Sequence, residues 1–232
     1  MSGLSVVEHE GLWVVHKPAG IPCFPPHRSP DGDCVLRRLV EAGLPLSTGF
    51  PEGFEGGIAH RLDISTSGQL LVCQTPARLS SLRAAFEQKA LRKRYLLWTR
   101  RKPRWPDNTV DRCIAHDRKR KARMIVQRGA ATPHRGKWLD AHTEFRTLGK
   151  AGEGWLVEAL MSTGVMHQIR AHAGFVGIAL AGDTLYGGGE LGLDVPEGVR
   201  FLLHHMGLQG PGLRPPCQAP PSWWPTLGQA SG

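Results

Sequence analysis

The 232-residue sequence predicts an α+β fold, a mixed and largely antiparallel sheet with flanking helices. Three observations predict it: strand-like runs follow one another, few segments carry helical spacing, and regular β-α-β alternation is absent. Gly and Pro clusters punctuate those runs at short intervals.

Leu12-Trp13-Val14-Val15 reads as an early strand, ended by Lys17-Pro18-Ala19-Gly20. Pro22, Pro25, Pro26 and Pro30 keep the following stretch extended or looping. Asp33 is placed to cap a short helix carrying Val35, Leu36, Leu39 and Val40 on one face, with Gly43 stopping it. Residues 43–57 are Gly- and Pro-rich and read as loop. Leu70-Leu71-Val72-Cys73 predicts a buried strand, and Pro76 opens a helix with Leu79, Leu82, Phe86 and Ala90 inward. Lys93 to Thr99 reads as a strand. Residues 139–147 alternate, with Leu139, Ala141, Thr143 and Phe145 on one face, and Trp155 to Leu160 alternates more loosely. Gly164 to Val176 fits a helix burying Met166, Ile169, Ala173 and Val176, and Phe201-Leu202-Leu203 a late core strand. The last 24 residues hold six prolines, and Trp223-Trp224 is placed to pin that tail to the body. Residues 101–110 lack linker composition, so one domain over residues 1–232 is expected, with a motif-bearing core over about 12–208 and a Pro-rich tail over 209–232.

Composition excludes several classes. The 41% hydrophobic and 21% charged fractions are those of a soluble globular protein, and no apolar run approaches the ~18–20 residues that span a bilayer. The N-terminus has neither a basic start nor a long apolar stretch, so a cytoplasmic location is expected. Five scattered cysteines with no C-x-x-C pair argue against a disulfide framework and against a zinc site. The net charge of +9 is clustered. Residues 92–104 carry seven basic residues and no acid, and residues 112–128 carry seven more against one Asp. Such clustering points to nucleic acid, although a merely solvated basic face has the same composition.

Three residues invite chemistry. Asp63, between Arg61 and Thr66-Ser67-Gly68, sits in a donor-rich turn before a buried strand, where a carboxylate can be held ionised and aimed. An Asp that only caps its own turn fits equally well. Arg170 falls about 40° from Met166 on the helical wheel, at the border of the apolar face, where either a carboxylate partner or a snorkelling head is expected. Tyr95, among Arg92, Lys93 and Arg94, is either a base-stacking aromatic or a core residue.

Together they match a pattern. The segment HRLDISTSG (60–68) resembles the H-R-L-D-x-x-T-S-G motif of the RluA-type pseudouridine synthases. Val14 to Gly20 resembles that family's strand followed by K-P-x-G, and Lys93-Arg94-Tyr95 its K-x-Y strand. Thr163 to His172 is similar to T-G-R-x-H-Q-I-R-x-H, Gly182 to Gly187 to G-D-x-x-Y-G, and Leu203-His204 to a late L-H. Six blocks in the family's order make a strong signal.

The resemblance implies an α+β domain with a central cleft that isomerises uridine in structured RNA, ribosomal or transfer, to pseudouridine, as a monomer and without cofactor or metal. It implies Asp63 as nucleophile, Tyr95 stacked on the target base and taking part at the C5 proton, and Arg170 paired with Asp63. Arg61 would hold the flipped nucleotide or fill its place, with His60, Thr66, His167 and Gln168 also binding substrate. Three positions depart from the pattern: Val165 replaces the arginine of T-G-R, His16 an Asn or Asp, and His205 a small residue. No additional N-terminal RNA-binding domain is expected. A non-catalytic RNA-binding protein retaining the fold is the second reading. A carboxylate-pair hydrolase is the third, weakened because no second acid lies near Asp63 in sequence.

Overall fold

The computed structural model describes residues 4–26, 29–46 and 48–228, so the expectations for residues 1–3 and for the last four residues of the tail lie outside the described residues. In chain order the strands are β1 (Ser5–His9), β2 (Leu12–Lys17), β3 (Ser67–Cys73), β4 (Arg92–Thr99), β5 (Asp107–Asp111), β6 (Ile114–Asp117), β7 (Met124–Val126), β8 (His134–Leu139), β9 (His142–Ala151), β10 (Gly154–Met161) and β11 (Leu203–Gln209). Among the described residues the α-helices are α1 (Val35–Glu41), α2 (Pro76–Glu87) and α3 (Gln168–Phe175). The α+β expectation holds: β3 and β11 pair in parallel, and the other strand pairs described below are antiparallel.

The residues group into two compact units. One comprises Met1–Leu91, Pro196–Val199 and His204–Pro220; the other comprises Arg92–Val195, Arg200–Leu203 and Pro221–Gly232.

In the first unit β1, β2 and β3 form an antiparallel run, and β11 lies parallel against the start of β3. Flanked by β2 and β11, β3 is buried along its whole length, including polar Ser67 and Gln69. Gln69 is satisfied in place: its Nε2 donates to the Pro216 carbonyl (2.9 Å) and its Oε1 accepts from the Leu208 amide (3.1 Å). Leu12, Val14, Leu71, Leu79, Leu82 and Leu208 make the core, with Phe50, Phe54 and Phe86 against it. Gly68 is required where β3 meets β11. Its φ is +115°, and a Cβ would lie 2.6 Å from the His205 nitrogen and closer still to the His205 carbonyl oxygen.

In the second unit β4, β10, β9 and β5 pair in that order, while β7, β6 and β8 form a separate three-stranded sheet. Trp98 on β4 is fully buried, and its indole N–H donates to the Ala151 carbonyl (2.9 Å). Ile114, Met124, Val126, Ala141, Ala171 and Tyr186 pack the small sheet against α3.

Several expectations are corrected. The cap of α1 is Cys34, whose Sγ accepts from the Arg37 amide (3.4 Å), while Asp33 pairs with Arg38. This seven-residue helix buries only Val35 and Leu39, one turn apart, and Val40 is exposed. Helix α2 ends at Glu87 because Lys89 takes a φ of +55°, so Ala90 lies beyond it. Helix α3 begins at Gln168, not Gly164, because His167 is left-handed (φ 55°); Met166 therefore faces solvent. Strand β1 was not foreseen, nor were β5 to β8 across the basic stretch. Polar β8 has no buried residue, so it carries no apolar alternation for a sequence reading to detect. Buried Trp224 does anchor the described part of the tail.

Two outcomes follow from this packing. Gly68→Ala is expected to cost about 3 kcal/mol, through a strained φ and a backbone clash, measurable as a lowered urea midpoint. Burial holds the pKa values of His172 and His204 down at about 4. Above the unfolded value of 6.5 both are neutral in either state, so their contribution is complete. As pH falls from 6.5 toward 4 only the unfolded chain gains these protons, and each group removes about 1.4 kcal/mol of stability per pH unit. Urea titrations across that window should show the slope, and His204→Gln should make it shallower.

Candidate active site

The turn carrying Asp63 is built from one buried lysine outward. The antiparallel register of β2 and β3 pairs Lys17 with Gly68, so the end of β2 lies where the chain turns into β3. Lys17 is fully buried, and its ammonium donates to three carbonyls: Pro18 (2.9 Å), Ile64 (3.1 Å) and Thr66 (2.7 Å). Three donors thus meet three acceptors, two of them in the Asp63 turn. Burial lowers the Lys17 pKa to about 8, opposed by the charges of Cys23 and Asp63.

Further contacts fix the same turn. The Gly20 amide donates to the Ile64 carbonyl (2.8 Å), and the Thr66 amide to the Asp63 carbonyl (3.0 Å). The buried Cys23 thiol donates to the Leu62 carbonyl (3.6 Å) and accepts from the Leu62 amide (3.4 Å). The turn therefore has little freedom. Leu62, Ser65 and Thr66 are buried, Asp63 is half-buried, and Arg61 and Ile64 are exposed. The Arg61 guanidinium lies 6.0 Å from the Phe24 ring centroid.

His60, expected at the substrate, is turned inward: its Nε2 accepts from the Leu71 amide (3.2 Å), and its ring meets Phe86 and His205 edge-on. Thr66, also expected there, is buried and presents its backbone to Lys17 and Asp63. The departures His16 and His205 belong to the same packing. His16 meets the His204 ring at 5.4 Å, and His205 meets that of His60 at 5.4 Å. The His205 Nδ1–H donates to the Gln69 carbonyl (2.6 Å). His204 Nδ1 accepts a hydrogen bond from the Ser67 hydroxyl (2.9 Å), and its Nε2–H donates to the Gln218 carbonyl (3.1 Å).

In the second unit Tyr95 is buried on β4, paired in register with Ala159 of β10. Two residues before it, half-buried Lys93 lies beside Gly164, where a Cβ would be 2.9 Å from its Nζ; desolvation lowers its pKa to about 8. Arg170 lies on the inner face of α3 and is 8% exposed, so it does not snorkel. Its Nε and Nη2 donate to the two oxygens of buried Asp183 (2.7 and 2.9 Å), a bidentate pair. The guanidinium also stacks over Phe201 (4.5 Å) and Tyr186 (5.1 Å).

Gln168 is 2% exposed, and its side chain is fully engaged by protein. Its Oε1 accepts from Thr163 (2.8 Å) and from the Val165 amide (3.2 Å), and its Nε2 donates to the His142 carbonyl (2.9 Å) and to Thr143 Oγ1 (3.0 Å). The Thr143 hydroxyl in turn donates to His172 Nδ1 (2.9 Å), whose Nε2–H reaches the Arg112 carbonyl (3.0 Å). His167 is half-buried at the head of α3. The Tyr186 hydroxyl accepts from the Met124 amide (3.0 Å) and donates to His167 Nδ1 (3.1 Å). Val165 packs on the apolar cluster around Tyr186.

Sequence reasoning placed Lys17, Asp183 and Tyr186 in motif blocks but gave none of them a role. Each left a signal: a lysine closing an apolar strand, and an Asp and a Tyr set between glycines. Among the described residues no group of three or more His, Cys, Asp or Glu side chains is placed to hold a metal ion. Nor is any helix there long and apolar enough to cross a membrane.

Residues 11–174 match the family described as RNA pseudouridylate synthase. An uncharacterized RNA pseudouridine synthase of Synechocystis sp. is 30% identical over 208 residues, covering 88% of this chain and 60% of that protein. Ribosomal large subunit pseudouridine synthase D of Zymomonas mobilis is 32% identical over 182 residues, covering 78% and 55%. The chain thus spans little more than half the length of these relatives. The solved structure of human RNA pseudouridylate synthase domain containing 1 shares the fold, with a TM-score of 0.73 at 23% identity over 99% of this chain and 92% of that one. With the family pattern matched across most of its length, the chain belongs to the RluA-type RNA pseudouridylate synthase family.

Proposed function

We propose that this protein isomerises uridine to pseudouridine within structured RNA, with ribosomal RNA as the first candidate substrate and transfer RNA as the second. The observation that carries the reading is the construction of the Asp63 turn. A half-buried carboxylate sits on backbone whose flanking carbonyls are bound by Lys17 and Gly20, on the motif the family shares. The name of the Zymomonas mobilis relative, a ribosomal large subunit enzyme, favours ribosomal RNA.

The reaction breaks the N1–C1′ bond of uridine and forms a C5–C1′ bond. Positive charge develops at C1′ as N1 leaves, and an aimed carboxylate stabilises or captures it. Asp63 is assigned that role. The detached uracil rotates, C5 bonds to C1′ with release of any Asp63–C1′ bond, and C5 then loses its proton while N1 gains one; Tyr95 is assigned to stack on the ring and assist at the C5 proton. A substrate that excludes water raises a carboxylate pKa, and a neighbouring guanidinium opposes this. Arg170 is assigned to Asp63 as that counter-charge. A guanidinium has five N–H donors, and Asp183 takes two of Arg170's while fixing its plane.

The target base cannot react while stacked, so the nucleotide is extruded at a cost of a few kcal/mol. Exposed Arg61 is assigned to the extruded nucleotide or its vacated place, with His167 nearer the head of α3. His60, Thr66 and Gln168 are assigned to the substrate side through the backbone and side chains they hold in position. The basic stretches 92–104 and 112–128 supply phosphate contacts that offset extrusion. We assign the activity to the cytoplasm and to a monomer, with no cofactor or metal in the chemistry.

Asp63→Asn should abolish pseudouridine formation on total cellular RNA, read by chemical mapping, while RNA affinity stays within about twofold, since one neutralised carboxylate removes no phosphate contact. Wild-type turnover by Asp63→Asn would overturn the assignment. Activity should also decline on the alkaline side with an apparent pKa of about 8, as Lys17 loses the proton that completes its third carbonyl contact. The melting temperature should not fall over that range, because a lysine whose folded pKa is lowered favours the native state as pH rises from 8 to 10.5. Lys17→Met should lower kcat by roughly a hundredfold, the scale of a misplaced catalytic group, and remove the alkaline limb. A limb that persists in Lys17→Met belongs to Lys93, which titrates at a similar pH.

A further inference from the structure

The Asp63 turn presents more than its carboxylate. Of residues 61–66, three leave the core: Arg61, Asp63 and Ile64. Ile64 is 54% exposed on backbone that is among the most constrained in the unit, its carbonyl accepting from both Lys17 and Gly20. Beside Arg61 lies half-buried Phe24, its ring centroid 6.0 Å from the guanidinium carbon. Phe24 is fixed in turn, because the preceding Cys23 is bonded through its thiol to both backbone groups of Leu62. An aromatic, a guanidinium and a β-branched aliphatic are therefore carried on anchored backbone beside Asp63 in the chain. A scattered exposed apolar side chain needs no explanation, but this set is assembled from two segments by buried contacts.

The geometry points to a base-reading platform: Phe24 and Ile64 contact the faces of unpaired nucleobases flanking the target uridine, so the preferred RNA presents that uridine in a single-stranded loop. This rests on the RNA-modifying reading above. Base faces are apolar and planar, and they stack on aromatic and guanidinium planes. Aliphatic side chains wedge between base steps and hold them apart. Because the platform is already rigid, contact costs little ordering entropy. Phosphate contacts alone would not discriminate a loop from a duplex, whereas a platform for base faces does.

The test uses the full chain and a labelled RNA hairpin with one uridine in an unpaired loop. The controls are the same strand annealed to its complement, and a hairpin with abasic nucleotides on either side of the uridine. Phe24→Leu and Ile64→Ser should each weaken binding of the intact hairpin by roughly tenfold, the size of one base stack, without changing duplex affinity or melting temperature. Phe24→Tyr should retain wild-type affinity. The abasic hairpin lacks both flanking bases and should bind the wild-type chain roughly a hundredfold more weakly, with no further loss in either variant, since the contact each variant removes is already gone. Wild-type hairpin affinity in both variants, or independent losses from variant and abasic RNA, would overturn the platform. Pseudouridine formation is scored separately on the same hairpin and on total cellular RNA. A chain that prefers the loop but makes no pseudouridine would sink the catalytic reading and leave the platform standing.

Discussion

The architecture around Asp63 depends on one buried cation. A lysine ammonium removed from water is costly unless its donors are met, and Lys17 meets three carbonyls at 2.7–3.1 Å. Those carbonyls belong to β2's own exit and to the turn, so the ammonium ties the two segments together. The strand register favours this arrangement: with Lys17 opposite Gly68, the Nζ lies within reach of the last residues before β3. Gly68 has no side chain, and its positive φ and open Cβ position let the His205 backbone of β11 approach closely.

The second unit also buries a cation, here against a carboxylate. Arg170 and Asp183 are both buried, and their bidentate pair helps make the burial of each charge tolerable. Around them the polar groups of α3 are saturated in sequence: Gln168 with the 163–165 loop and β9, His172 with Thr143 and Arg112, His167 with Tyr186. A network satisfied at each of these members gives a single rigid arrangement, whereas one missing partner would leave a buried donor or acceptor unpaired. This explains why a short helix, only Gln168–Phe175, can bury six of its residues.

What the sequence made legible follows the physics of its signals. Apolar strands with two buried faces, β2 and β3, and a proline-opened helix, α2, have strong local patterns, and all three were readable to within a few residues. Strand β8 was not, because its side chains lie half or fully in solvent and its place is set by pairing with β6. The start of α3 was misjudged for a different reason. Val165 and Met166 fit a helical face, but the Gln168 side chain takes the Val165 amide and His167 turns left-handed, which no periodicity encodes. At the site, Asp63 and Arg170 could be singled out by type and position. Lys17 and Asp183 could not be given roles, because theirs arise only when distant segments are brought together.

The departures from the family pattern are then less a loss than a change of local electrostatics. His16 meets the His204 ring and is shifted toward its neutral form by burial, and His204 titrates only near 4. At neutral pH both of these rings are therefore neutral, and the charge of Asp63 helps hold Lys17 in its protonated form. The same lysine that shapes the turn is thus also the group that feels the charge of the carboxylate the turn carries.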